Sequence, residues 1–397
     1  MPSRRSTSPA SITPPDATLR ATSASQRSDV AVIGAGIVGL STAYSLLGLG
    51  ASVTVYERGV PGNGQSGGES RIFRHAHDDP RLVALACRSR AIWREWEARL
   101  GVELVSPDGV VALGPAVEDR LRVLQEVGGV AVRPIDPAEV AQRLPLLASY
   151  SGPATFDEGG GSIRTGPAVK ALADQLGTSL VSDEVISLRP VGAGAVEVRA
   201  GGDRREYRSV VVCAGRGTTS LARSVGLSLP VGHAAHVRLT FALADDDPPP
   251  RLACLQDGSG HFGETGVYAA PLSGNRQYAL GLSQTVEVHE DGSLLEPEGL
   301  AALSERASAY VARALPHLDP VPVDYRHCWT TEVPWSPDGV AVWAAEPMFF
   351  VAGHNLFKHA PALGAALAQA ALEGELPNEL RPEARLGHPE QVTTLRR

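Results

Sequence analysis

The sequence predicts an α/β fold with a second, mostly antiparallel part. A short apolar run at residues 30–33 leads into a glycine-rich turn, an apolar-faced helix and a second apolar run, the order that is typical of a βαβ unit. Residues 231–243 and 267–283 alternate polar and apolar side chains, which favours antiparallel strands. A chain of 397 residues is long enough for both parts.

Composition excludes several classes of protein. The net charge is −8, so no global basic field attracts nucleic acid or an anionic membrane. No run of about 20 apolar residues occurs, which excludes a transmembrane helix. The four cysteines are scattered without a CxxC pair, so we expect no metal site and no disulfide framework, and a reducing, cytoplasmic location. The chain has only two lysines, Lys170 and Lys358, among 36 basic residues.

The turn after the first apolar run has the spacing G-x-G-x-x-G at Gly34, Gly36 and Gly39, and Glu57 ends the second run. The first glycine makes the turn, the second lets backbone approach a pyrophosphate, and the third lets the helix pack on the strand. The acid accepts from a ribose hydroxyl, which favours NAD or FAD over NADP. A glycine-rich turn without a ligand is disfavoured, because strand, helix, second strand and acid are all present.

Two later segments select FAD. The run VVVCAG at 210–215 lies in mid-chain, and FFVAG at 349–353 precedes a helix near the C-terminus. With the fingerprint, these segments resemble the sarcosine oxidase and D-amino-acid oxidase (DAO) family of flavoenzymes. The match is nearest to the monomeric sarcosine oxidase and N-methyltryptophan oxidase branch. The resemblance implies a Rossmann-like FAD domain of the glutathione-reductase type and a mostly antiparallel α+β substrate domain.

The resemblance also implies a discontinuous division of the chain. We expect the FAD-binding domain at 28–84, 152–228 and 322–384, and the substrate domain at 85–151 and 229–321. Residues 1–27 are rich in Ser, Thr, Pro and Arg and lack an apolar segment, so they are expected to be a disordered tail, with a transit peptide as the alternative. Residues 385–397 form a second tail.

The run 67–76, GGESRIFRHA, is similar to a segment that passes the flavin ring in this branch. By that resemblance Ser70 and Arg71 contact the flavin, and Arg74 binds the substrate carboxylate. A guanidinium offers a planar fork to a carboxylate. The alternative is a pair of surface arginines, which are common in this arginine-rich chain.

The segment 353–358, GHNLFK, resembles another flavin-facing stretch, in which the lysine joins the arginine at the carboxylate. Lys358 is therefore the second expected carboxylate ligand, with an exposed lysine as the alternative, whereas Lys170 is expected on a solvated helix. The resemblance places the remaining flavin contacts at Arg58, Val185, Ala214, Gly215, Gly353, His354, Asn355 and Leu356.

Cys328 and Tyr268 are two further candidates. Cys328 falls near the position of a cysteine that bonds the flavin covalently in the sarcosine oxidase branch, and a plain buried cysteine is the alternative. Tyr268, in GVYAAP, resembles a tyrosine that covers the substrate, and a core tyrosine is the alternative.

The chain departs from the oxidase pattern at Ala279. The oxidases carry a lysine there, beside the reacting edge of the flavin, and a histidine where this chain has Ser283. A cation at this place stabilises charge that develops on oxygen. Residues that could supply it instead are His233, His236, His261, His327 and Arg276.

The sequence therefore predicts FAD-dependent oxidation of the C–N bond of an amino or imino acid, by hydride transfer to flavin N5, to give an imine. The expected partners are a substrate with a free carboxylate and oxygen or another electron acceptor. A dehydrogenase-like or tailoring enzyme with low oxygen reactivity, a non-catalytic flavin-binding subunit and an NAD-linked reductase remain open. The state of assembly, monomer or homodimer, is open too.

Overall fold

The computed structural model describes residues 29–388 except Ala193, Asp246 and Glu290. The predicted tail 1–27, and residues 389–397 of the second tail, lie outside these residues. The helices are α1 (Ile37–Gly48), α2 (Pro80–Leu100), α3 (Ala116–Val127), α4 (Pro137–Arg143), α5 (Thr165–Leu176), α6 (Thr218–Ser224), α7 (Pro297–Ala314) and α8 (Ala360–Glu373).

The strands are β1 (Val30–Ile33), β2 (Val53–Glu57), β3 (Ser70–Phe73), β4 (Val110–Leu113), β5 (Val132–Pro134), β6 (Ala154–Asp157), β7 (Gly161–Arg164), β8 (Leu180–Ser182), β9 (Val185–Val191), β10 (Ala195–Ala200), β11 (Asp203–Tyr207), β12 (Ser209–Val212), β13 (Gly232–Ala242), β14 (Cys254–Asp257), β15 (Val267–Pro271), β16 (Gln277–Leu282), β17 (Val286–Glu287), β18 (Asp324–Glu332), β19 (Val340–Ala345) and β20 (Met348–Gly353).

A six-stranded sheet in the order β19-β20-β12-β1-β2-β8 forms the first domain. All neighbours are parallel except β19 and β20. The strands β1, β12 and β20 come from the three separated segments that the sequence singles out, and they lie side by side. The predicted α/β fold class is therefore confirmed. The carboxyl ends of these strands meet at one edge, where parallel sheets bind their ligands.

Each face of this sheet is covered, as its fully buried strands require. Val30, Val32 and Val211 pack against α1, α8 and α5 on one face. Ala31 and Val210 pack on the other, against the antiparallel sheet β11-β10-β9 and α6.

A nine-stranded, mostly antiparallel sheet builds the second part, in the order β17-β13-β16-β15-β14-β4-β6-β5 with β18 beside β13. One of its faces packs on α7 through a core that includes Leu239, Tyr278 and Tyr310. The opposite face carries polar and small side chains and lies towards β3, which pairs with β7 in a separate two-stranded sheet. That second face is where the candidate site forms.

Most predicted elements are present, with small shifts at their ends. Helix α2 begins after Asp79, whose carboxylate accepts from the Arg81 backbone N–H, and ends at Gly101. Helix α4 ends at Arg143, because Leu144 precedes a proline and leaves the helical region. The stretch 267–283 is two strands joined by a turn.

Two observations bear on the domain boundaries. Helix α2, largely assigned to the substrate domain, places Trp93 and Trp96 in the same core as α1 and α8. Leu386, assigned to the C-terminal tail, is buried and pairs with Val340. The packing thus joins both segments to the first domain, although the boundaries themselves stay a prediction.

Candidate active site

The glycine-rich turn forms a tight cradle at the carboxyl end of β1. Gly34 has a φ of +98°, and a Cβ atom there would lie 2.6 Å from the Cys213 carbonyl oxygen. A Cβ on Gly39 would collide with the Gly34 carbonyl. The first turn of α1 begins at Gly36, and the Ile37 N–H donates to Ser66 Oγ at 2.9 Å. Glycine is therefore required for this approach of backbone to backbone.

The Glu57 carboxylate lies directly beside this turn. Its Oε2 accepts from the Ala35 N–H at 2.8 Å, and its Oε1 accepts from the Gly59 N–H at 2.9 Å. A carboxylate has about four acceptor sites, so capacity for ribose hydroxyls remains. The residue after β2, Arg58, forms an ion pair at 3.2 Å with Glu184, which directly precedes β9. Val185 is the first residue of β9.

The end of β12 completes the cradle. Ala214 and Gly215 follow Cys213, whose carbonyl faces Gly34, and Gly215 has a φ of +56°. A Cβ on Gly215 would lie 2.7 Å from Gln65 Oε1. Gln65 also donates to Thr331 Oγ1 at 2.7 Å, which ties the loop after β2 to β18. The two strand ends and β18 thus surround one space.

Arg74, Asp338, Asn355 and Lys358 form a group that we call the Asp338 cluster, in which Lys358 is buried and Asn355 is exposed. Arg74 Nη2 lies 2.8 Å from Asp338 Oδ2, and Asn355 Nδ2 donates to Asp338 Oδ1 at 2.6 Å. The Lys358 ammonium donates to the Asn355 carbonyl at 3.2 Å and is 4% exposed as a residue. The loop after β3 and the loop after β20 therefore bring two cations to one carboxylate.

Burial and charge shift the ionisation of this cluster. Burial lowers the pKa of Lys358 to about 7, with Asp338 raising it and Arg74 lowering it further. Burial would raise the pKa of Asp338, but the charges of Lys358 and Arg74 hold it well below its usual range. Burial also lowers the pKa of His354 to about 4. Near neutral pH, Lys358 is the group of the cluster that gains or loses a proton.

Two buried histidines border the cluster. His77 Nδ1 lies 3.4 Å from Asp338 Oδ2, and the His77 and His359 rings are 5.2 Å apart between centroids. Burial lowers both pKa values well below their usual range. His77 Nε2 and both ring nitrogens of His359 have no hydrogen-bond partner among the described residues.

A second group, Arg71, His236, Arg238 and Tyr268, lies on the sheet face that points away from α7; we call it the sheet-face cluster. The Tyr268 hydroxyl and His236 Nδ1 are 2.6 Å apart. The Arg238 guanidinium lies 5.8 Å from the centre of the Tyr268 ring. Arg238 donates to the carbonyl and the hydroxyl of Ser70, and Arg71 donates to the carbonyls of Ser70 and Gly67.

Comparison with known proteins agrees with this arrangement. Residues 29–370 match the family model described as DAO, FAD dependent oxidoreductase. The chain belongs to this family. It is 30% identical to human peroxisomal sarcosine oxidase over 214 residues, which cover 51% of this chain and 54% of that protein. It is 25% identical to glycine oxidase of Geobacillus kaustophilus over 385 residues, 90% and 96% of the two chains. The chain spans about half the length of the sarcosine oxidases that it matches.

Solved structures share the fold of this DAO family member. NikD, an unusual amino acid oxidase essential for nikkomycin biosynthesis, superposes in its open form with a TM-score of 0.76 and 20% identity, covering 90% of this chain and 96% of NikD. L-proline dehydrogenase from P. horikoshii superposes with a TM-score of 0.75 and 19% identity, covering 92% of this chain and 98% of the dehydrogenase. Both likenesses show the fold alone.

The residues of the cradle fit FAD. Gly34 and Gly39 let the turn lie against backbone that a Cβ atom would strike, and the Glu57 carboxylate retains acceptor capacity at the end of β2. Helix α1 begins directly after Gly36, and a helix N-terminus at a glycine-rich turn suits a pyrophosphate. When bound, FAD supplies a two-electron acceptor for the family's oxidations.

The structure places the other sequence-predicted residues on β18, on β20 and in the loop after β20. Gly353 ends β20, and a Cβ there would meet the Gly339 carbonyl. His354 is half-buried, with its ring centre 6.0 Å from that of His236. Leu356 packs at the edge of the first core. Cys328 is buried on β18, opposite His236 in register. All four cysteines are free thiols.

Ala279 lies on β16, in the middle of the nine-stranded sheet. Ala279 pairs with Thr240 on β13 and Ala270 on β15, and it is 4% exposed. Two residues further along β16, Gly281 pairs with both Arg238 and Tyr268, and the Tyr268 ring lies over it. Ala279 therefore shares the face of the sheet-face cluster, as strand alternation requires.

Sequence reasoning missed Asp338, His77 and Arg238. The position of Asp338 next to Arg74 depends on packing between segments 264 residues apart. Arg238 is one of many arginines, and nothing in the sequence predicts that it is buried. Its neighbours Val237 and Leu239 face the core, so alternation places Arg238 on the other face. Strand alternation alone would have placed Arg238 with His236 on the opposite face.

No membrane-spanning candidate was found in the described part of the chain: its helices are either too short or too polar. The same residues contain no group of three or more His, Cys, Asp or Glu side chains arranged to hold a metal ion.

Proposed function

We propose that this protein uses FAD to oxidise the carbon–nitrogen bond of a small amino or imino acid with a free carboxylate. The observation that carries the proposal is the Asp338 cluster, in which Arg74 and Lys358 converge although they lie far apart in sequence. A guanidinium and an ammonium together favour a carboxylate as the anchored group. The relatives named sarcosine oxidase and glycine oxidase support this substrate class.

The residues perform binding and orientation. Arg74 and Lys358 hold the carboxylate, so the carbon that bears nitrogen faces the space between the cradle and the sheet. Tyr268 forms one wall of that space, and its hydroxyl is held by His236. Burial keeps the Tyr268 hydroxyl protonated by raising its pKa. Bound FAD would supply the hydride acceptor for oxidation of the substrate to an imine, and the role of these residues would be to fix the substrate in a productive geometry, from which most of the rate enhancement would come.

An anaerobic screen tests the proposal. Amino acids, N-methyl amino acids and cyclic imino acids are mixed with the holoenzyme, and the flavin absorbance is followed. We expect at least one compound with a free carboxylate to bleach the flavin, and its amide or ester to fail. The matched variants are Arg74→Met and Arg122→Met, since Arg122 is 72% exposed on α3. If no carboxylate compound bleaches the flavin, the proposal is wrong.

The second candidate is a dehydrogenase-like or tailoring enzyme of low oxygen reactivity. Ala279 favours it, because this buried position on the site face carries no charge. Stopped-flow mixing of the reduced holoenzyme with oxygen separates the two candidates. Rapid reoxidation supports an oxidase, whereas slow reoxidation with fast turnover on an artificial acceptor supports the alternative.

A covalent bond between Cys328 and the flavin is part of the proposal. Cys328 Sγ is 3.9 Å from the Arg326 carbonyl and lies on β18, which borders the cradle through Gln65. We expect the yellow colour to stay with acid-precipitated protein, and to pass into the supernatant for Cys328→Ser. Complete release from the unchanged protein would contradict the bond. Cys87→Ser, at a half-exposed position on α2, is the matched control.

A further inference from the structure

Two cations of the site, the buried Arg238 and the partly buried Arg71, have no carboxylate partner among the described residues. Among the described residues, neither Arg71 nor Arg238 forms an ion pair, and both donate only to uncharged oxygens near Ser70. Arg238 is 5% exposed, and its Nε has no hydrogen-bond partner. Burial and the charge of Arg71 lower the pKa of Arg238 to about 10, so it remains charged at neutral pH. Burying an unpaired charge costs free energy, and a bound anion would offset that cost.

The surroundings of Arg238 supply no negative charge. His236 is held neutral, because burial and the neighbouring charges of His354, Arg71 and Arg238 lower its pKa well below the usual range. Burial raises the pKa of Tyr268, so its hydroxyl is neutral as well. The adjoining positions on β16 are Ala279 and Gly281, which are small and leave the face open. The positive charge is therefore uncompensated on every side that the described residues form.

We propose that Arg238, together with Arg71, is a second anion site, which takes the negative charge that the bound flavin acquires on reduction. This inference rests on the proposed function, because it requires FAD in the space between the cradle and the sheet. The substrate carboxylate is anchored elsewhere, at the Asp338 cluster. A two-electron-reduced flavin is an anion at neutral pH and an oxidised one is neutral, so a fixed cation favours the reduced state. Arg238 thus supplies, from the neighbouring strand, a charge that position 279 lacks.

Sulfite affinity and reduction potential measure this charge without any substrate. Sulfite bleaches oxidised flavins whose surroundings stabilise a negative ring. Arg238→Gln removes the charge but can still donate to Ser70, whereas Arg238→Lys keeps the charge and loses the fork. We expect Arg238→Gln to weaken sulfite binding by about tenfold or more, and Arg238→Lys to change it by less than about threefold. The reduction potential of the flavin should also fall in the Arg238→Gln variant.

The outcomes are separable from failure of the proposed function. Equal losses for Gln and Lys would show that Arg238 only ties β13 to β3, and would overturn the inference. A raised KM for substrate with unchanged sulfite affinity would assign Arg238 to the substrate instead, and would also overturn it. If no amino acid bleaches the flavin but the sulfite result holds, the proposed function fails and the anion site stands. Arg122→Met is the control for loss of an arginine.

A test at Ala279 covers the case in which Arg238→Gln does not retain flavin. Ala279→Lys adds a cation to the same face. If Arg238 already supplies the charge, this single variant should change sulfite affinity by less than about threefold. A gain of about tenfold or more in the otherwise unchanged protein would show that the site lacks a cation, which overturns the inference.

Discussion

The two clusters differ in one respect, the presence of a carboxylate. In the Asp338 cluster, Arg74 pairs with the carboxylate of Asp338, which Asn355 also contacts, while the Lys358 ammonium donates to the Asn355 carbonyl. In the sheet-face cluster, Arg71 and Arg238 meet only backbone carbonyls and a serine hydroxyl. Both clusters contain arginine and one fully buried cation, Lys358 or Arg238. The difference therefore lies in how each cluster is compensated before a ligand arrives.

The degree to which a carboxylate neutralises the cations determines which ligand each cluster favours. Asp338 holds Arg74 in place and leaves the Asp338 cluster with a net charge of about +1 when Lys358 is protonated, which suits one carboxylate. The sheet-face cluster has no internal anion, so its field extends towards whatever occupies the space beside it. Partial neutralisation of its cations suits the Asp338 cluster, which must bind and then release a carboxylate. Cations without a carboxylate partner suit the sheet-face cluster, which must favour a negative charge on the neighbouring group.

Arg74→Met should have the largest effect. We expect the KM for the carboxylate substrate, or the Kd of a carboxylate inhibitor, to rise about 100-fold, because the variant removes a buried charged donor and leaves Asp338 with one cation fewer. Steady-state kinetics and inhibitor titration measure the change. Sulfite affinity should shift by less than about threefold, since the sheet-face cluster is intact. A comparable loss of both affinities would show that the two clusters act as one.

The pH dependence of carboxylate binding should be the next largest effect. Lys358, with a pKa of about 7, is protonated and attractive below that pH and neutral above it. The Kd of acetate should therefore rise by about tenfold as pH increases through 7, because one charged contact is lost. Acetate has no amine, so no ligand proton interferes. Lys358→Met should bind weakly at every pH and show no such rise.

Asp338→Asn sharpens the same measurement. The Asp338 charge raises the pKa of Lys358, so its removal should move the midpoint of acetate binding to lower pH. His77 and His354 do not mask the shift, since burial lowers both pKa values below the usual range. A midpoint that stays in place or moves upward would contradict the assignment of this titration to Lys358.

The sequence was sufficient for the first domain because its signals are local. The βαβ unit at β1, α1 and β2 is encoded by glycine spacing and by consecutive apolar residues. The family resemblance added the order of the three segments. These features depend on neighbours within a few residues, so a single sequence carries them.

The site itself was only partly predictable. Arg74 and Lys358 could be named from short motifs, but Asp338 joins them only when β3, β20 and the turn before β19 pack together. Arg238 lies on an alternating strand, and it is buried where its guanidinium contacts Ser70 of β3, a segment 168 residues away. Contacts between segments hundreds of residues apart leave no periodic signal in the chain, and the charge balance of each cluster depends on them.

Substitution of a third arginine, Arg58, should have the smallest effect, because the energetic contribution of an ion pair depends on its burial. Arg58 pairs with Glu184 at 3.2 Å, but both side chains are 61% exposed. Because water and salt screen such a pair, Arg58→Ala should change the free energy of unfolding by less than about 1 kcal/mol. FAD affinity should change by less than about threefold for the same reason. Thermal unfolding and flavin fluorescence titration test this, with Arg204→Ala, which is also 61% exposed, as the control. A loss of flavin affinity as large as tenfold would instead place Arg58 in direct contact with the cofactor.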